Sequence, residues 1–364
     1  MQQRVALVHD WLVTYRGGEK VLLELARMYP DAPIFTLFFK PDALPSELRD
    51  RNIIYPKGLQ RFAFARKALL PLLPTFVEQL DLQGFDLVIS TSSCVAKGVI
   101  PQPEARHLCY IHSPMRYAWD QRQHYLRSIP RIPGARGLWN YLMSRMRVWD
   151  VSSSARVDCF VANSTFVQSR VQRYYRRNSV VVHPPVEVER FTASRTSSDG
   201  YFLAAGALVP YKRFDLAIAA CEASGKRLVI AGDGPELHKL KRLAGRHTTF
   251  IQRPDDSQWA NLMSKADALL FPGIEDFGIV PIEALAAGTP VIAMKAGGAI
   301  DYVLPGQTGL FFEEQTVTSL QHCLENFDAS TFSVDALREF AMKFTQRAFQ
   351  DRMKSVIEEL TSGK

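Results

Sequence analysis

Short apolar runs alternate with amphipathic stretches along almost the whole chain, and this alternation limits the fold more than any other feature. The runs that predict buried strands are Val5–Val8, Phe85–Ile89, Arg106–Ile111, Cys159–Ala162, Tyr201–Ala205, Arg227–Ala231, Thr248–Ile251, Ala268–Phe271 and Pro290–Ala293. The stretches that predict helices are Glu19–Met28, Ser164–Tyr175, Phe214–Ala223, Leu237–Ala244, Ser257–Lys265 and Val280–Ala287. Strands that alternate with helices in this way predict βαβ units and parallel sheets.

The series of strands restarts near Tyr201, after a stretch rich in Pro, Ser and Thr at 183–200. We interpret this stretch as a linker between two α/β domains, 1–185 and 186–345. A last helical pattern within 346–364 could complete the first domain. Each domain is expected to be a doubly wound parallel sheet, with the carboxyl ends of the strands facing a central cleft where ligands bind.

Composition excludes several classes of protein. Of the 364 residues, 47% are hydrophobic and 22% charged, which excludes disorder as the main state. The five cysteines are scattered and form no C-x-x-C, which argues against a disulfide scaffold or a zinc ribbon. The apolar runs at Val5–Val8 and Ala68–Val77 are too short for a signal peptide or a membrane span, so we expect a cytoplasmic protein.

The formal net charge of +7 predicts an anionic partner. Two basic stretches, 57–72 and 106–147, carry Arg and Lys interleaved with aromatic residues, and the second contains eight arginines and one acid, Asp120. Arg beside aromatic residues favours peripheral contact with an anionic membrane surface. An ordinary solvated basic face is an equal alternative. No nucleic-acid-binding motif accompanies the charge, so we do not expect nucleic acid as a partner.

The most informative motif is EDFGIVPIEALAAGTPVIA, residues 275–293. Glu275 precedes a glycine-containing turn, and Glu283 lies about one turn inside the helix that follows. Gly278 allows the backbone to approach a ligand, the start of the helix can hold an anion, and each glutamate can accept hydrogen bonds from sugar or ribose hydroxyls. The alternative is an ordinary helix start that favours acids. The donor-binding candidates in this motif are Phe277, Gly278, Ile279, Val280 and Glu283.

Further motifs follow in a fixed order: GGEK at 17–20, YIHSPMRYAWD at 110–120, ANSTFVQSRV at 162–171, HPPVEVERF at 183–191, LVPYKRFDLAIAA at 208–220, AGDGPEL at 231–237 and GGAIDYVLPGQTGLFF at 297–312. With the two glutamates eight residues apart, this set resembles the retaining glycosyltransferases of the GT-B fold, family 4 (group 1). The sequence at 112–120 and 208–217 is most similar to that of bacterial GDP-mannose-dependent mannosyltransferases of O-antigen or exopolysaccharide synthesis.

The resemblance implies a nucleotide-sugar donor held mainly by the second domain. Lys212 matches the lysine that stabilises the charge gained by the leaving diphosphate, and Glu275 matches the acid that orients the sugar. The arginine that the family often has after the preceding strand is replaced here by Ala207, and Arg213 could supply its charge. Arg253 lies where the family contacts the base.

In the first domain the resemblance places His112 near the donor sugar and makes it a catalytic candidate beside Glu275 and Lys212. Gly17 and Gly18 match a loop that faces the cleft. The remaining candidates for the acceptor side are Arg116, Tyr117, Trp119 and Asp120. The alternative for these residues is that they only pack a loop against its own domain.

The function implied is transfer of a hexose, with mannose from GDP-mannose favoured, onto a lipid-linked or polysaccharide acceptor in cell-surface glycan synthesis. No D-x-D, no P-loop and no His/Cys cluster with metal spacing occurs, so we expect neither a metal nor a cofactor. Alternatives left open are a UDP- or dTDP-sugar donor, a nucleotide-sugar epimerase, and a two-domain solute-binding protein that is not an enzyme.

Overall fold

The computed structural model describes residues 3–66, 68–120, 134–191 and 198–362. Parts of both basic stretches and of the expected linker, at 67, 121–133 and 192–197, lie outside the described residues. The chain divides into two compact units: the first contains 1–184 and 350–364, and the second contains 185–349.

The first unit is built on a seven-stranded sheet in which all neighbouring strands are parallel. Its strands are β1 (Val5–His9), β2 (Ile34–Thr36), β3 (Ile53–Ile54), β4 (Leu87–Ser92), β5 (Arg106–Ile111), β6 (Cys159–Ala162) and β7 (Ser179–Val181). Its helices before residue 184 are α1 (Gly17–Met28), α2 (Ser46–Arg49), α3 (Lys57–Gln60), α4 (Leu73–Glu78), α5 (Ala135–Ser153) and α6 (Thr165–Tyr175). The spatial order β3-β2-β1-β4-β5-β6-β7 reverses direction between β1 and β4.

The second unit repeats this plan with a six-stranded parallel sheet of order β10-β9-β8-β11-β12-β13. Its strands are β8 (Phe202–Ala205), β9 (Leu228–Ala231), β10 (Thr248–Ile251), β11 (Ala268–Phe271), β12 (Val291–Met294) and β13 (Gly309–Phe312). The helices that follow are α7 (Phe214–Ser224), α8 (Leu237–Leu243), α9 (Asp256–Lys265), α10 (Ile279–Ala286), α11 (Val317–Glu325), α12 (Val334–Ala341) and α13 (Gln346–Thr361). The prediction of two doubly wound α/β units is confirmed.

Burial explains why the apolar runs form strands. Every residue of β1, β4, β8 and β11 is buried, because helices cover both faces of a parallel sheet. Strands β2 and β7 were missed by the sequence analysis, since three residues give too short a pattern.

Part of the stretch expected to be a linker, residues 186–191, contributes instead to the core of the second unit. Val186, Val188 and Phe191 are buried in its main apolar cluster, and the boundary between the units falls at Pro184–Pro185. From Gln350 onward, α13 belongs to the first unit, where the Gln350 amide donates a hydrogen bond of 2.7 Å to Glu24.

Candidate functional site

The second sheet has its topological switch point between β8 and β11. In sheets of this kind, ligands bind beyond the carboxyl ends of the strands on either side of that point. Strand β8 ends at Ala205 and β11 at Phe271, so the segments that follow, 206–213 and 272–278, meet at this edge.

An ion pair joins these two segments. The Lys212 ammonium lies 2.7 Å from a carboxylate oxygen of Glu275, and the two side chains are only 12% and 16% exposed. Lys212 ends a short 3-10 turn, Pro210–Lys212, just before α7, and its ammonium lies 5.9 Å from the centre of the Phe271 ring. The structure therefore brings together, in one unit, the two second-domain residues predicted to be catalytic.

Two glycines leave room for the lysine. A Cβ atom on Gly206, whose φ is +130°, would lie 3.0 Å from the Lys212 ammonium nitrogen. A Cβ on Gly273 would lie 2.7 Å from the Lys212 Cα. A larger residue at either position would displace Lys212 from Glu275.

The loop after Glu275 is held in place by hydrogen bonds from Gly298 and Tyr302. Gly278 precedes α10 with φ +95°, in a region that disfavours residues with a side chain. Phe277 is buried, and its carbonyl accepts a hydrogen bond of 2.8 Å from the Tyr302 hydroxyl. Gly298 donates its backbone N–H to the Glu275 carbonyl at 2.9 Å. Ile279 and Val280 form the first turn of α10.

Glu283 lies on the inner side of α10 and is buried. One of its carboxylate oxygens accepts a hydrogen bond of 2.9 Å from the indole N–H of Trp259, on the neighbouring helix α9. Sequence reasoning gave Trp259 no role. In the sequence, Trp259 looks like an ordinary packing residue of a helix. Only its hydrogen bond to Glu283 in the folded structure indicates a further role.

The two arginines expected at the donor are held by carboxylates, in one case from the same turn and in the other from the turn after the neighbouring strand β9. The Arg213 Nε donates to Asp215 at 3.1 Å, which keeps this guanidinium near the start of α7. The Arg253 Nε donates to Asp233 at 2.6 Å, and this contact holds the pKa of the Asp233 carboxyl below its usual value. Arg253 is 84% exposed. The role of Arg213 in replacing the missing arginine at Ala207 stays a prediction.

In the first unit, His112 follows β5 and faces the start of α1. Its Nε2 atom is buried and has no hydrogen-bond partner within the described ranges. A Cβ on Gly18 would lie 3.5 Å from this nitrogen and 3.7 Å from the His9 ring, so α1 begins against both imidazoles, with Gly17 as its first residue. Burial, with the nearby positive groups of His9 and Arg116, lowers the pKa of His112 to about 3. His112 is therefore neutral near pH 7.

The switch point of the first sheet is closed by the chain itself. Asp10, directly after β1, accepts hydrogen bonds from the backbone N–H groups of Cys94 and Val95, after β4, at 2.9 and 2.7 Å. Ser93 and Ala96 donate to the same carboxylate. These amides already bind an internal anion, so this loop resembles a phosphate cradle that is filled by its own aspartate.

Two of the acceptor-side candidates are tied to the unit that carries them. The Trp119 indole N–H donates to the buried Asp150 at 2.8 Å, and its ring stacks on Tyr174 of α6 at 4.5 Å. Asp120 forms an ion pair with Arg170 and accepts a hydrogen bond from Tyr174. Both residues thus pack against their own domain, and their role on the acceptor side stays a prediction.

The other two candidates of this loop lie between His112 and Trp119. Tyr117 packs against the apolar core of the first unit and lines a small cavity with Trp11, Arg66 and Leu70. Arg116 is half-buried, and its charge contributes to the lowered pKa of His112.

The described residues contain neither a candidate metal cluster nor a candidate membrane span. No group of three or more His, Cys, Asp or Glu in the described part of the chain is placed to hold a metal ion. None of the helices within those ranges has both the length and the apolar character needed to cross a bilayer. The absence of a metal or cofactor requirement stays a prediction.

Two family models match adjoining parts of the chain. The model described as Glycosyltransferase Family 4 matches residues 15–190, and the one described as Glycosyl transferases group 1 matches residues 185–327. A solved structure, HepE from Anabaena in complex with UDP, has a TM-score of 0.71 at 16% identity, covering 98% of this chain and 100% of that chain.

Relatives extend the comparison. A GDP-mannose-dependent alpha-mannosyltransferase from Mycobacterium tuberculosis is 27% identical over 88% of this chain and 87% of its own length. An uncharacterized glycosyltransferase from Methanocaldococcus jannaschii is 25% identical over 56% of this chain, an alignment that covers 60% of that relative.

The two doubly wound parallel-sheet units have the GT-B fold. The first half of the chain matches the family 4 model and the second half matches the group 1 model, so the chain is a glycosyltransferase that carries a domain of each kind.

Proposed function

We propose that this glycosyltransferase moves a mannosyl residue from GDP-mannose to a hydroxyl of a lipid-linked or polysaccharide acceptor, with retention of configuration at the anomeric carbon. The Lys212–Glu275 pair at the switch point of the second sheet carries the proposal. The donor is supported by the mycobacterial relative that aligns over most of both chains.

In the proposed reaction, the bond between the anomeric carbon and the diphosphate oxygen breaks, and the leaving nucleoside diphosphate keeps the electron pair. The acceptor oxygen forms the new bond, and its proton passes to the departing diphosphate. The Lys212 ammonium stabilises the charge that develops on that group, since a fixed cation in a partly buried site needs no reorganisation. The backbone N–H groups at the start of α10, four residues after Glu275, act in the same direction in this proposal.

Glu275 has two partners in this scheme. Without ligand it holds the Lys212 ammonium, and with donor bound it accepts hydrogen bonds from the sugar while the lysine turns to the diphosphate. Glu283 binds the ribose, and Arg253 lies at the base. On the first unit, the neutral His112 contacts the sugar, where an uncharged imidazole can accept or donate a hydrogen bond.

Turnover by two variants and donor binding by the wild type test the donor site. Lys212→Met and Glu275→Gln should each lower turnover of GDP-mannose more than about tenfold, because contacts of this kind contribute roughly 2–4 kcal/mol in the transition state. Wild-type protein should melt at a higher temperature with GDP-mannose than with UDP-glucose, since a ligand that binds the folded state raises Tm.

Lys239→Met is the matched control, because Lys239 is also paired with a glutamate, Glu236, but on the exposed face of α8. Its turnover should equal that of the wild type. Unchanged turnover in both site variants would remove the site assignment, whereas a larger Tm shift with UDP-glucose would replace only the donor.

A further inference from the structure

The first unit exposes a set of large apolar side chains on two segments that pack together. These residues, called here the amphiphilic surface, are Phe62, Phe64, Leu72, Leu138, Tyr141 and Val148. Phe64 is 86% exposed, and Leu138, Tyr141 and Val148 are each more than 60% exposed. Contiguous exposed apolar area of this kind marks an interaction site in a protein that is otherwise well packed.

The two segments belong to one face because they share one core. The turn Leu70–Leu72 packs against α5, and Leu59, Leu70, Met143 and Met146 lie in the same buried cluster. Residues that leave this cluster outward, on 57–72 and on α5, therefore lie on neighbouring parts of the surface.

On α5 the exposed apolar residues recur at helical spacing. Leu138, Tyr141 and Val148 are three and seven residues apart, which places them along one side of the helix. Arg145 is exposed between them, whereas Arg136, two residues before Leu138, lies on the other side of the helix. A stripe of this length with cationic residues is typical of a helix that lies in a membrane interface.

The charges on these two segments indicate which kind of partner the amphiphilic surface binds. Between residues 57 and 77 and between 134 and 149 the sequence contains no acidic residue, while Lys57, Arg61 and Arg66 lie in the first segment and Arg136 and Arg145 in the second. The acids that follow are engaged: Glu78 holds Arg156 at 2.7 Å, and Asp150 is buried beside Lys97. The surface therefore combines exposed aromatic and aliphatic groups with cations alone, and a bilayer with anionic headgroups complements both.

We propose that the amphiphilic surface seats the first unit on a lipid bilayer rich in anionic headgroups. Phe64, Leu138 and Tyr141 enter the interface, and Arg145 and Arg61, whose guanidinium lies 4.8 Å from the centre of the Phe62 ring, contact the phosphates of the headgroups. This goes beyond the proposed transfer reaction, because it assigns a partner to a surface that needs neither donor nor acceptor.

Cosedimentation of the full chain with vesicles tests the proposal, with no sugar donor or acceptor present. The protein should bind phosphatidylcholine vesicles that contain phosphatidylglycerol far more tightly than phosphatidylcholine alone. Binding should weaken as salt shortens the Debye length from about 30 Å to about 3 Å.

Two pairs of substitutions separate the apolar and the cationic parts. Phe64→Ser with Leu138→Ser should reduce vesicle binding at least about tenfold, because two large side chains no longer enter the interface. Arg61→Gln with Arg145→Gln should reduce it about fivefold for each charge and weaken its salt dependence. Both pairs change exposed residues, so Tm should stay at the wild-type value.

The matched control is Arg242→Gln with Leu243→Ser, an exposed cation and an exposed leucine at the end of α8 in the second unit. It should bind vesicles like the wild type. Absence of binding, equal binding to both kinds of vesicle, or site variants that bind like the control would each overturn the proposal.

A concentration-dependent dimer that the Leu138→Ser pair abolishes, without vesicle binding, would assign the surface to a second copy of the chain instead. Because the vesicles hold no sugar substrate, a failure here leaves the transfer reaction untouched, and a protein that binds vesicles without transferring sugar would contradict only the proposed function.

Discussion

Lys212 and Glu275 show how two residue types that are usually solvated can form a mostly buried ion pair. Lysine before a helix and glutamate in a loop are usually solvated, and a pair of exposed charges contributes little. Here the pair is mostly buried at the end of two neighbouring strands, and glycines 206 and 273 remove the side chains that would separate it. At the residue scale, the ion pair therefore depends on the absence of side chains at Gly206 and Gly273 as much as on the two charged residues themselves.

Trp259 gives a prediction at this scale. Trp259→Phe keeps an aromatic ring on α9 and removes only the N–H that orients Glu283. Because a hydrogen bond to a charged group contributes about 1.5–3 kcal/mol, the KM for the donor should rise roughly tenfold while kcat changes little. Steady-state kinetics with varied donor concentration measure both.

A 2′-deoxyribose donor serves as the control for this prediction. The wild type should discriminate against it, and Trp259→Phe should discriminate less, since the carboxylate proposed to bind the ribose has lost the hydrogen bond from the indole. An equal preference in both proteins would mean that Trp259 has only a packing role.

At the element scale, the start of α10 depends on a neighbour that comes later in the chain. The turn after β12 brings Gly298 against the loop 275–278, where a Cβ would lie 2.4 Å from Phe277 Cα and 2.6 Å from the Asp276 carbonyl oxygen. Both are backbone atoms, so no side chain can move aside. The glycine pair 297–298 and the E-x7-E segment therefore act as one unit.

Gly298→Ala should displace this loop. We expect a loss of about 1–3 kcal/mol in the free energy of unfolding, the usual cost of overpacking, together with weaker donor binding by calorimetry. Gly137→Ala on α5, where a Cβ meets nothing within 4 Å, is the comparison and should leave both quantities nearly unchanged or raise stability slightly. Full donor affinity in Gly298→Ala would show that the loop position does not matter.

At the scale of the whole molecule, buried histidines make stability depend on pH. Burial lowers the pKa of His107 to about 4, and that of His112 to about 3. Both imidazoles are neutral in the folded state near pH 7, and only the unfolded chain takes up their protons as pH falls below about 6.5. Their effect on stability is therefore absent above that pH and destabilising below it.

The free energy of unfolding should fall by about 2 kcal/mol for the fully buried His107 alone between pH 7.5 and pH 5. Urea denaturation at a series of pH values measures this slope. His107→Asn, which does not titrate in this interval, should show a shallower slope. An identical slope in the variant would assign the pH dependence to other groups.

Much of this molecule could be predicted from the sequence because the signals are local. Strands β5, β6, β10 and β11 have the predicted bounds. Strand β11 is buried along its whole length, and β5 and β6 are buried after their first residue, because an apolar run in a parallel sheet is covered on both faces. Lys212 and Glu275 became candidates through motifs that resemble family 4 glycosyltransferases, and both lie in short loops after strands.

Tertiary structure alone decided the rest, because each remaining feature depends on contacts between distant parts of the chain. Trp259 meets Glu283 only when α9 packs beside α10, and Gly298 matters only because it touches the loop at 275–278. Trp119 and Asp120 were candidates for the acceptor side, and the fold gives them contacts with Asp150, Tyr174 and Arg170 that the sequence does not show. A sequence states which groups are present, whereas the fold determines which of them already have partners.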